Sequence, residues 1–355
     1  MTPTPSSHGP KAAQALPPHH PQVRAIVVTW NGAHLLPDCL DSLLAQDLPE
    51  GTLEILVVDN ASTDGTAELL AEQYPSVRTL HLPRNTGFAG GVAAGTADLL
   101  DPAIPSPPTP SSCGSASESQ ALDPTTNPSF IALLNNDAQF APDAIRLLIE
   151  AANVAEADGE RVGAVTATVL LTEPDEQGRL LVQSTGNIVT SAGAAMDRDF
   201  RVPLDEASPQ REVFGFNGGA ALLRTEALRE AGGFDASLFL YYEDTDLSWR
   251  MREHGWSIIH EHAARATHRH MASTGGGISP MFRYYNTRNS LIVATRHASA
   301  RIVLASLSRQ TAGALSHTLR RDEPGPVRRA RWRGLAAYLR RLPQELRIRR
   351  IQRLH

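Results

Sequence analysis

Four short apolar runs, each ending on a cluster of polar residues, constrain this chain more than any other feature. They are Val23 to Trp30 (VRAIVVTW), Leu53 to Val58 (LEILVV), Val77 to Leu82 (VRTLHL) and Phe130 to Leu134 (FIALL). Their apolar and β-branched content reads as strand. Helical patterns separate them: His34 to Gln46 sets Leu35, Leu36, Leu40, Leu43 and Leu44 on one side, and Pro142 to Ala157 follows the fourth run. Strands alternating with helices predict an α/β chain with a mostly parallel, doubly wound sheet. In such a sheet ligands bind beyond the carboxyl ends of the strands. Four polar clusters fall there: Thr29-Trp30-Asn31, Asp59-Asn60, Arg84-Asn85 and Asn135-Asn136-Asp137.

Composition narrows the classes. The 355 residues suffice for one large core with appendages. Residues 1–22, rich in Pro, Ser and His, are expected to be a disordered tail, and 101–128 a flexible Pro/Ser-rich insert. A net charge of -5 gives no signal for nucleic acid as a partner. Cys39 and Cys113 fall in a helix and in the insert, which fits a reducing, cytoplasmic setting without a disulfide framework. No run approaches the roughly 20 apolar residues that span a bilayer.

A carboxylate such as Asp59 can accept from a base N–H or ribose hydroxyls, and Arg84 can reach a phosphate. The GxGxxG that a dinucleotide site wants after the first strand is absent. Asp137 ends a strand expected in mid-sheet, where a lone carboxylate is costly unless paired or metal-bound. With a diphosphate ligand, Mg2+ or Mn2+ bridging both is the natural solution, and His268 and His270 are candidates for a further ligand. The set His260, His262, His268 and His270 lacks cysteines and the spacing of a zinc site. Gly215 to His254 carries the other candidate chemistry. Gly232-Gly233 turns the chain, Leu238 to Tyr242 reads as a strand-like run, and Glu243, Asp244 and Asp246 open a helix. Acidic residues there are ordinary caps, but a strand-to-helix junction also presents a carboxylate to a site wall, where a general base belongs.

The stretches VVTWNGAHLLPDCLDSLLAQ, ILVVDNASTDGT, RNTGFAGG, LLNNDA, GFNGGAALLR, GGFDASLFLYYEDTDLSWRMREHGW and YYNTRNSLI stand in the order seen in glycosyltransferase family 2. The chain resembles the bacterial rhamnosyltransferase and galactofuranosyltransferase branch over roughly residues 23–298. The resemblance implies a GT-A fold and an inverting transferase that takes a nucleotide-sugar donor with Mg2+ or Mn2+. It implies that Thr29, Asn31, Asp59, Arg84 and Asn85 line the nucleotide. Asn135, Asn136 and Asp137 stand at the family's DXD motif, with Asn135 replacing its first Asp and Asp137 in the metal position. Asp244 matches the catalytic base, and His268, ahead of His270, the downstream metal ligand. Asn217, Gly218 and Gly219 match a loop near sugar and acceptor, and Glu243 and Asp246 are candidates to hold the acceptor or to orient Asp244.

The implied reaction moves a sugar, dTDP-rhamnose first among donors, to a glycan or polyprenyl-linked acceptor in cell-envelope polysaccharide synthesis. UDP-galactofuranose, UDP-galactose and UDP-N-acetylglucosamine are the alternatives. A nucleotide-sugar synthase would want a Gly- and Lys-rich loop after the first strand, and the chain's one lysine is Lys11. A non-catalytic relative would be expected to lose Asp137 or Asp244. Residues 299–355 read as a basic amphipathic tail: twelve arginines follow from Arg320, against Asp322, Glu323 and Glu345. Pro343 is expected to break it into two helices. Its apolar stripe either lies on an anionic membrane surface at the inner face or packs on the body.

Overall fold

The computed structural model describes residues 22–101, 127–269 and 279–352. The N-terminal tail, most of the 101–128 insert, Cys113 and His270 lie outside the described residues. The first half of the chain comprises β1 (Val23–Thr29), α1 (Leu36–Leu44), β2 (Leu53–Asp59), α2 (Thr66–Gln73), β3 (Arg78–His81), α3 (Gly87–Gly95), α4 (Ala97–Leu100), β4 (Phe130–Leu134), β5 (Ala138–Phe140), α5 (Ala144–Ala157) and β6 (Val162–Leu171). Then come β7 (Val182–Ser184), β8 (Asn187–Val189), β9 (Ala195–Asp197), β10 (Ala220–Arg224), α6 (Thr225–Glu230), α7 (Glu243–Glu253) and β11 (Ser257–His268). Three long helices close the chain: α8 (Pro280–His297), α9 (Ala300–Arg320) and α10 (Gly325–Gln352).

Pleating sends alternate side chains to opposite faces of a strand. Val23, Ala25 and Val27 of β1 accordingly join one core, with Ile55 and Val57 of β2, while Ile26, Leu56 and Val58 join another. Helices α1 and α5 cover the first face; α3, α6 and α7 cover the second. The sheet runs β3-β2-β1-β4-β10-β6-β11-β5, with β7 on β6. Strands β3, β2, β1 and β4 are mutually parallel, as expected. Strand β10 enters antiparallel between β4 and β6. Its preceding turn, Asn217 to Gly219, delivers the chain at the carboxyl edge of β4, so β10 must run back down the sheet. The architecture is the expected GT-A fold.

Three local expectations need correction. Trp256 to His260 and Arg265 to His268, which read in sequence as two short strands, fall on one strand, β11, with a register shift between Glu261 and Arg265. Leu238 to Tyr242 is not a strand: a 3-10 turn at Ala236–Leu238 leads into left-handed backbone at Phe239, Tyr241 and Tyr242, with φ of 67°, 67° and 73°. Pro343 does not break the tail, because α10 runs through it. Pro343 faces solvent, where water can satisfy the carbonyl that loses its donor.

The tail packs on the body. Leu335 and Tyr338 of α10 join Leu291, Ile292 and Val293 of α8, Ala314 of α9, and Leu238 and Tyr242 in a third core. Buried charge ties the same helices to α7. Asp246 is fully buried, and accepts from Arg250 at 3.0 Å and Arg296 at 3.1 Å, with His297 Nε2 at 3.1 Å. Burial alone would raise its pKa. Arg250, His297 and Arg296 outweigh that and hold the carboxyl well below the usual range. Arg296 also meets Glu345 of α10 at 2.6 Å. Removing one partner of such a network strands the others without compensation. Asp246→Asn should therefore cost about 3–5 kcal/mol in urea unfolding at pH 7. A loss under about 1 kcal/mol would mean the network is not what joins α7 to the C-terminal helices.

Candidate active site

Strands β1 and β2 end in register, Thr29 opposite Asp59. The Asp59 carboxylate accepts from the Ser62 N–H at 2.9 Å and lies 3.1 Å from His81 Nδ1. Asn31, with φ of 52°, turns the chain out of β1. Its N–H donates to Ser62 Oγ at 2.9 Å, and its carboxamide oxygen accepts from the Thr63 N–H at 2.8 Å. Asn136 donates to Thr29 Oγ1 at 3.1 Å. These contacts lock the loops after β1, β2 and β4 into one wall. Asn85 accepts from the Gly87 N–H at 2.8 Å, a short turn that starts α3, and Arg84 is exposed at the end of β3.

Asp137 and His268 are 131 residues apart in sequence, yet His268 Nε2 lies 2.8 Å from Asp137 Oδ1. Strand β11 does this by pairing with β5, with His268 opposite Ala138. The Asn135 carboxamide reaches the same ring nitrogen at 3.4 Å. His268 Nδ1 meets Gln183 Oε1 at 2.7 Å. A ring that donates from Nδ1 to that oxygen turns the Nε2 lone pair toward a carboxylate. Two acceptors then face each other, which a proton or a cation between them satisfies, and an outer partner orienting the ring in this way is usual for a metal ligand. Two neighbouring ligands of an octahedral ion with ~2.1 Å bonds sit ~3 Å apart, close to the distance seen. No three His, Cys, Asp or Glu side chains converge among the described residues. The pair therefore fits a hard divalent ion that takes its other ligands from diphosphate and water.

Asp244 stands in the first turn of α7, partly open to solvent. Its Oδ2 accepts from Asn187 Nδ2 at 2.8 Å and the Gly218 N–H at 3.3 Å; Oδ1 accepts from the Thr245 N–H at 2.6 Å. Burial pushes the carboxyl up from its usual range, while the bonds from Asn187, Thr245 and Gly218 pull it back. Its neighbour Glu243 is buried, and Oε2 has no hydrogen-bond partner among the described residues. Burial, and then the Asp244 charge, raise Glu243 to about 8. Burial thus raises both carboxyls; hydrogen bonds offset it at Asp244, while Glu243, with Oε2 unpaired among the described residues, keeps its proton near neutrality. Asn217 sits beside them, donating to Asp197 at 2.9 Å and accepting from the Gly219 N–H at 2.8 Å. Asp246 is not brought to this wall: Arg250 of α7 engages its Oδ2, and Arg296 and His297 of α8 engage its Oδ1.

Gln183, Asn187 and Asp197 reach the site from β7, β8 and β9, a stretch that reads as irregular in sequence. Burial raises the Asp197 carboxyl, against the bonds from Ser184 and Asn217. In sequence these residues look like ordinary turn polars; the pairing of β7 on β6 places Gln183, and that of Asn187 with Asp197 joins the other two. His260, by contrast, is spent in the core on Thr168 Oγ1 at 2.8 Å.

A stability test follows from Glu243. Unfolded, it ionises near 4.5; folded, near 8. The folded state holds the extra proton between those values, so this group's contribution is present at low pH and is lost as pH rises through 8. Glu243→Gln should raise Tm relative to wild type more at pH 8 than at pH 5. An offset that does not change with pH would show that Glu243 is already ionised.

The sequence model of the family described as Glycosyltransferase like family 2 matches residues 20–287. The N-acetylglucosaminyl-diphospho-decaprenol L-rhamnosyltransferase of Mycobacterium tuberculosis is 28% identical over 283 residues, covering 77% of this chain and 84% of its own. Among solved structures, the mannosyltransferase PcManGT from Pyrobaculum calidifontis, in complex with GDP-Man and Mn2+, matches with a TM-score of 0.52 at 19% identity, covering 94% of this chain and 85% of that one. TarS 1-349 from S. aureus, in complex with UDP-GlcNAc, matches with a TM-score of 0.51 at 17% identity, covering 92% and 82%. At those identities the structural matches speak to the fold.

Proposed function

This chain belongs to glycosyltransferase-like family 2, and from that premise we propose that it transfers L-rhamnose from dTDP-rhamnose, with inversion, to a hydroxyl of a lipid-linked glycan acceptor. Glycosyl transfer itself follows from the family and the rhamnosyltransferase relative. The rhamnosyl donor and polyprenyl-linked acceptor are supported by that relative's name. The observation that carries the mechanism is the Asp244 carboxylate, fixed by Asn187 and Gly218, next to Gly219, whose carbonyl accepts from the Asn135 N–H at 3.0 Å beside the Asp137–His268 pair.

In this reading Asp244 takes the proton of the acceptor hydroxyl. The oxygen bonds the anomeric carbon from the face opposite the nucleotide, and the bond from that carbon to the diphosphate oxygen breaks. Gly218 and Asn187 hold the base in place, and the raised pKa of Glu243 limits like charge beside it. Thr29, Asn31, Asp59, Arg84 and Asn85 form the nucleoside side, with Asn135 and Asn136 toward the ribose and sugar. Asn217, Gly218 and Gly219 form the acceptor side, from which Asp246 is excluded by its ion pairs. Asp137 and His268 would hold Mg2+ or Mn2+, which supplies charge neutralisation for the departing diphosphate. The transferase body is assigned to residues 23–298, with α9 and α10 closing its acceptor side. No helix among the described residues is long and apolar enough to cross a membrane.

Nucleotide binding and turnover separate these roles. Asp244→Asn should bind dTDP with Mn2+ as wild type does, yet lose roughly 10²–10⁴-fold in turnover. His268→Ala should weaken the Mn2+-dependent part of dTDP binding. A folded Asp244→Asn variant within threefold of wild-type turnover removes it as base, and faster donor hydrolysis with UDP-sugars than with dTDP-rhamnose overturns the donor.

A further inference from the structure

Helix α10 has two faces of opposite use. One face buries Val327, Leu335, Tyr338 and Glu345 against the body. On the other, Trp332, Leu339, Leu346 and Ile351 remain 41%, 55%, 51% and 58% exposed. Trp332, Leu339 and Leu346 recur every seven residues and so share one stripe along the helix. Arg329, Arg333, Arg340, Arg347 and Arg350 are exposed along and beside it. Trp332 also donates to Thr318 Oγ1 of α9 at 3.0 Å, which continues the face onto α9, where Leu315 and Leu319 are exposed.

Carboxylates are kept off this face. Of the three between residues 300 and 352, Glu345 is fully buried between Arg296 and Arg341. Glu323 is paired with Arg331 and Arg283. Asp322 sits in the α9–α10 turn beside His317. Among the described residues none of the five exposed arginines is ion-paired with a carboxylate. A chain of net charge -5 thus carries one surface that is cationic and apolar, with no paired carboxylate on these five arginines among the described residues.

We propose that the outward face of α10, with the adjoining end of α9, docks on an anionic phospholipid surface. Apolar and aromatic side chains flanked by arginines suit the boundary between headgroups and acyl chains. A polyanion without an apolar layer, such as nucleic acid, would not use the leucine stripe. A second copy would bring like charge against like. The inward face places the site close to that surface: Arg341 donates to Ser237 Oγ at 2.9 Å, at the start of the loop that leads to Asp244. One helix diameter, about 10 Å, therefore separates the docking face from the loop. The proposal extends the lipid-linked acceptor reading above, but its test needs neither donor nor acceptor.

The full chain is sedimented with vesicles of phosphatidylglycerol and phosphatidylcholine, and with phosphatidylcholine alone, at low and high salt. Binding is expected to the anionic vesicles only and to fall as salt rises. Arg333→Ser/Arg340→Ser/Arg347→Ser should lower the partition roughly fivefold for each arginine removed, and Leu339→Ser/Leu346→Ser should lower it as well. Both variants should keep the wild-type circular dichroism and donor hydrolysis. Absence of binding at low salt, or variants that bind like wild type, overturns the proposal. Loss with the arginines but not the leucines points instead to a general polyanion site. A concentration-dependent dimer abolished by the leucine changes, without vesicle binding, points to a second copy. Failure of donor hydrolysis in the wild-type chain would count against the transferase reading and leave the docking result standing.

Discussion

One buried carboxamide sets the geometry on which the rest of the site depends. Asn289 of α8 is fully buried, and its Nδ2 lies 3.0, 2.9 and 2.7 Å from the carbonyl oxygens of Leu238, Leu240 and Tyr241. Those carbonyls converge because the backbone is bent in a way most residues avoid. Phe239, at φ 67° and ψ -61°, is a γ-turn of the rare positive-φ kind, closed by the Leu240 N–H on the Leu238 carbonyl at 2.8 Å. Tyr241 and Tyr242 follow in left-handed conformations that cost about 1–2 kcal/mol each. Arg288 donates to Leu238 O at 2.7 Å and to Asn289 Oδ1 at 2.8 Å, so the strap is itself held. Tyr285 stacks on Phe239 with ring centres 5.0 Å apart.

The strained loop joins the two halves of the site. On one side it leads directly into α7 and Asp244. On the other, Phe239 O accepts from the Ala89 N–H of α3 at 3.1 Å, beside the wall that ends β2 and β3. Gly87 is required at that contact: its φ is 73°, and a Cβ there would run into the Phe239 carbonyl. Strain of this kind persists only where the surroundings over-determine it. Here they do so through α3, α8 and α10 together, which is why the C-terminal helices belong to the working structure rather than hanging from it.

Much of this was legible in the sequence, and the failures have physical causes. The parallel strands were legible because alternation between two buried faces leaves long apolar runs. Asp137 was legible as a costly charge at a strand end, and its convergence with His268 came through the family resemblance. The antiparallel course of β10 was not legible, because an apolar run carries no direction. Leu238 to Tyr242 has strand-like composition, yet Asn289 and Gly87 override that propensity through contacts made elsewhere in the chain. Asn289 stands at helical spacing with Tyr285 and Arg288, but nothing local says that a helical Asn points at carbonyls. The tail's mixed stripe concealed two separate faces, which only packing divides. Gln183, Asn187 and Asp197 depend on short pairings that composition does not signal.

We propose that the Asn289 strap places Asp244, the proposed base, by fixing the loop that leads into α7. This is tested most directly by steady-state kinetics of Asn289→Ala, with near-UV circular dichroism as the check on folding. Asn289→Ala should fold, keep its KM for the nucleotide-sugar donor and lose on the order of 100-fold in kcat, since a misplaced catalytic group costs about that much. A folded variant with wild-type kcat would contradict it, because the loop would then hold Asp244 without its strap.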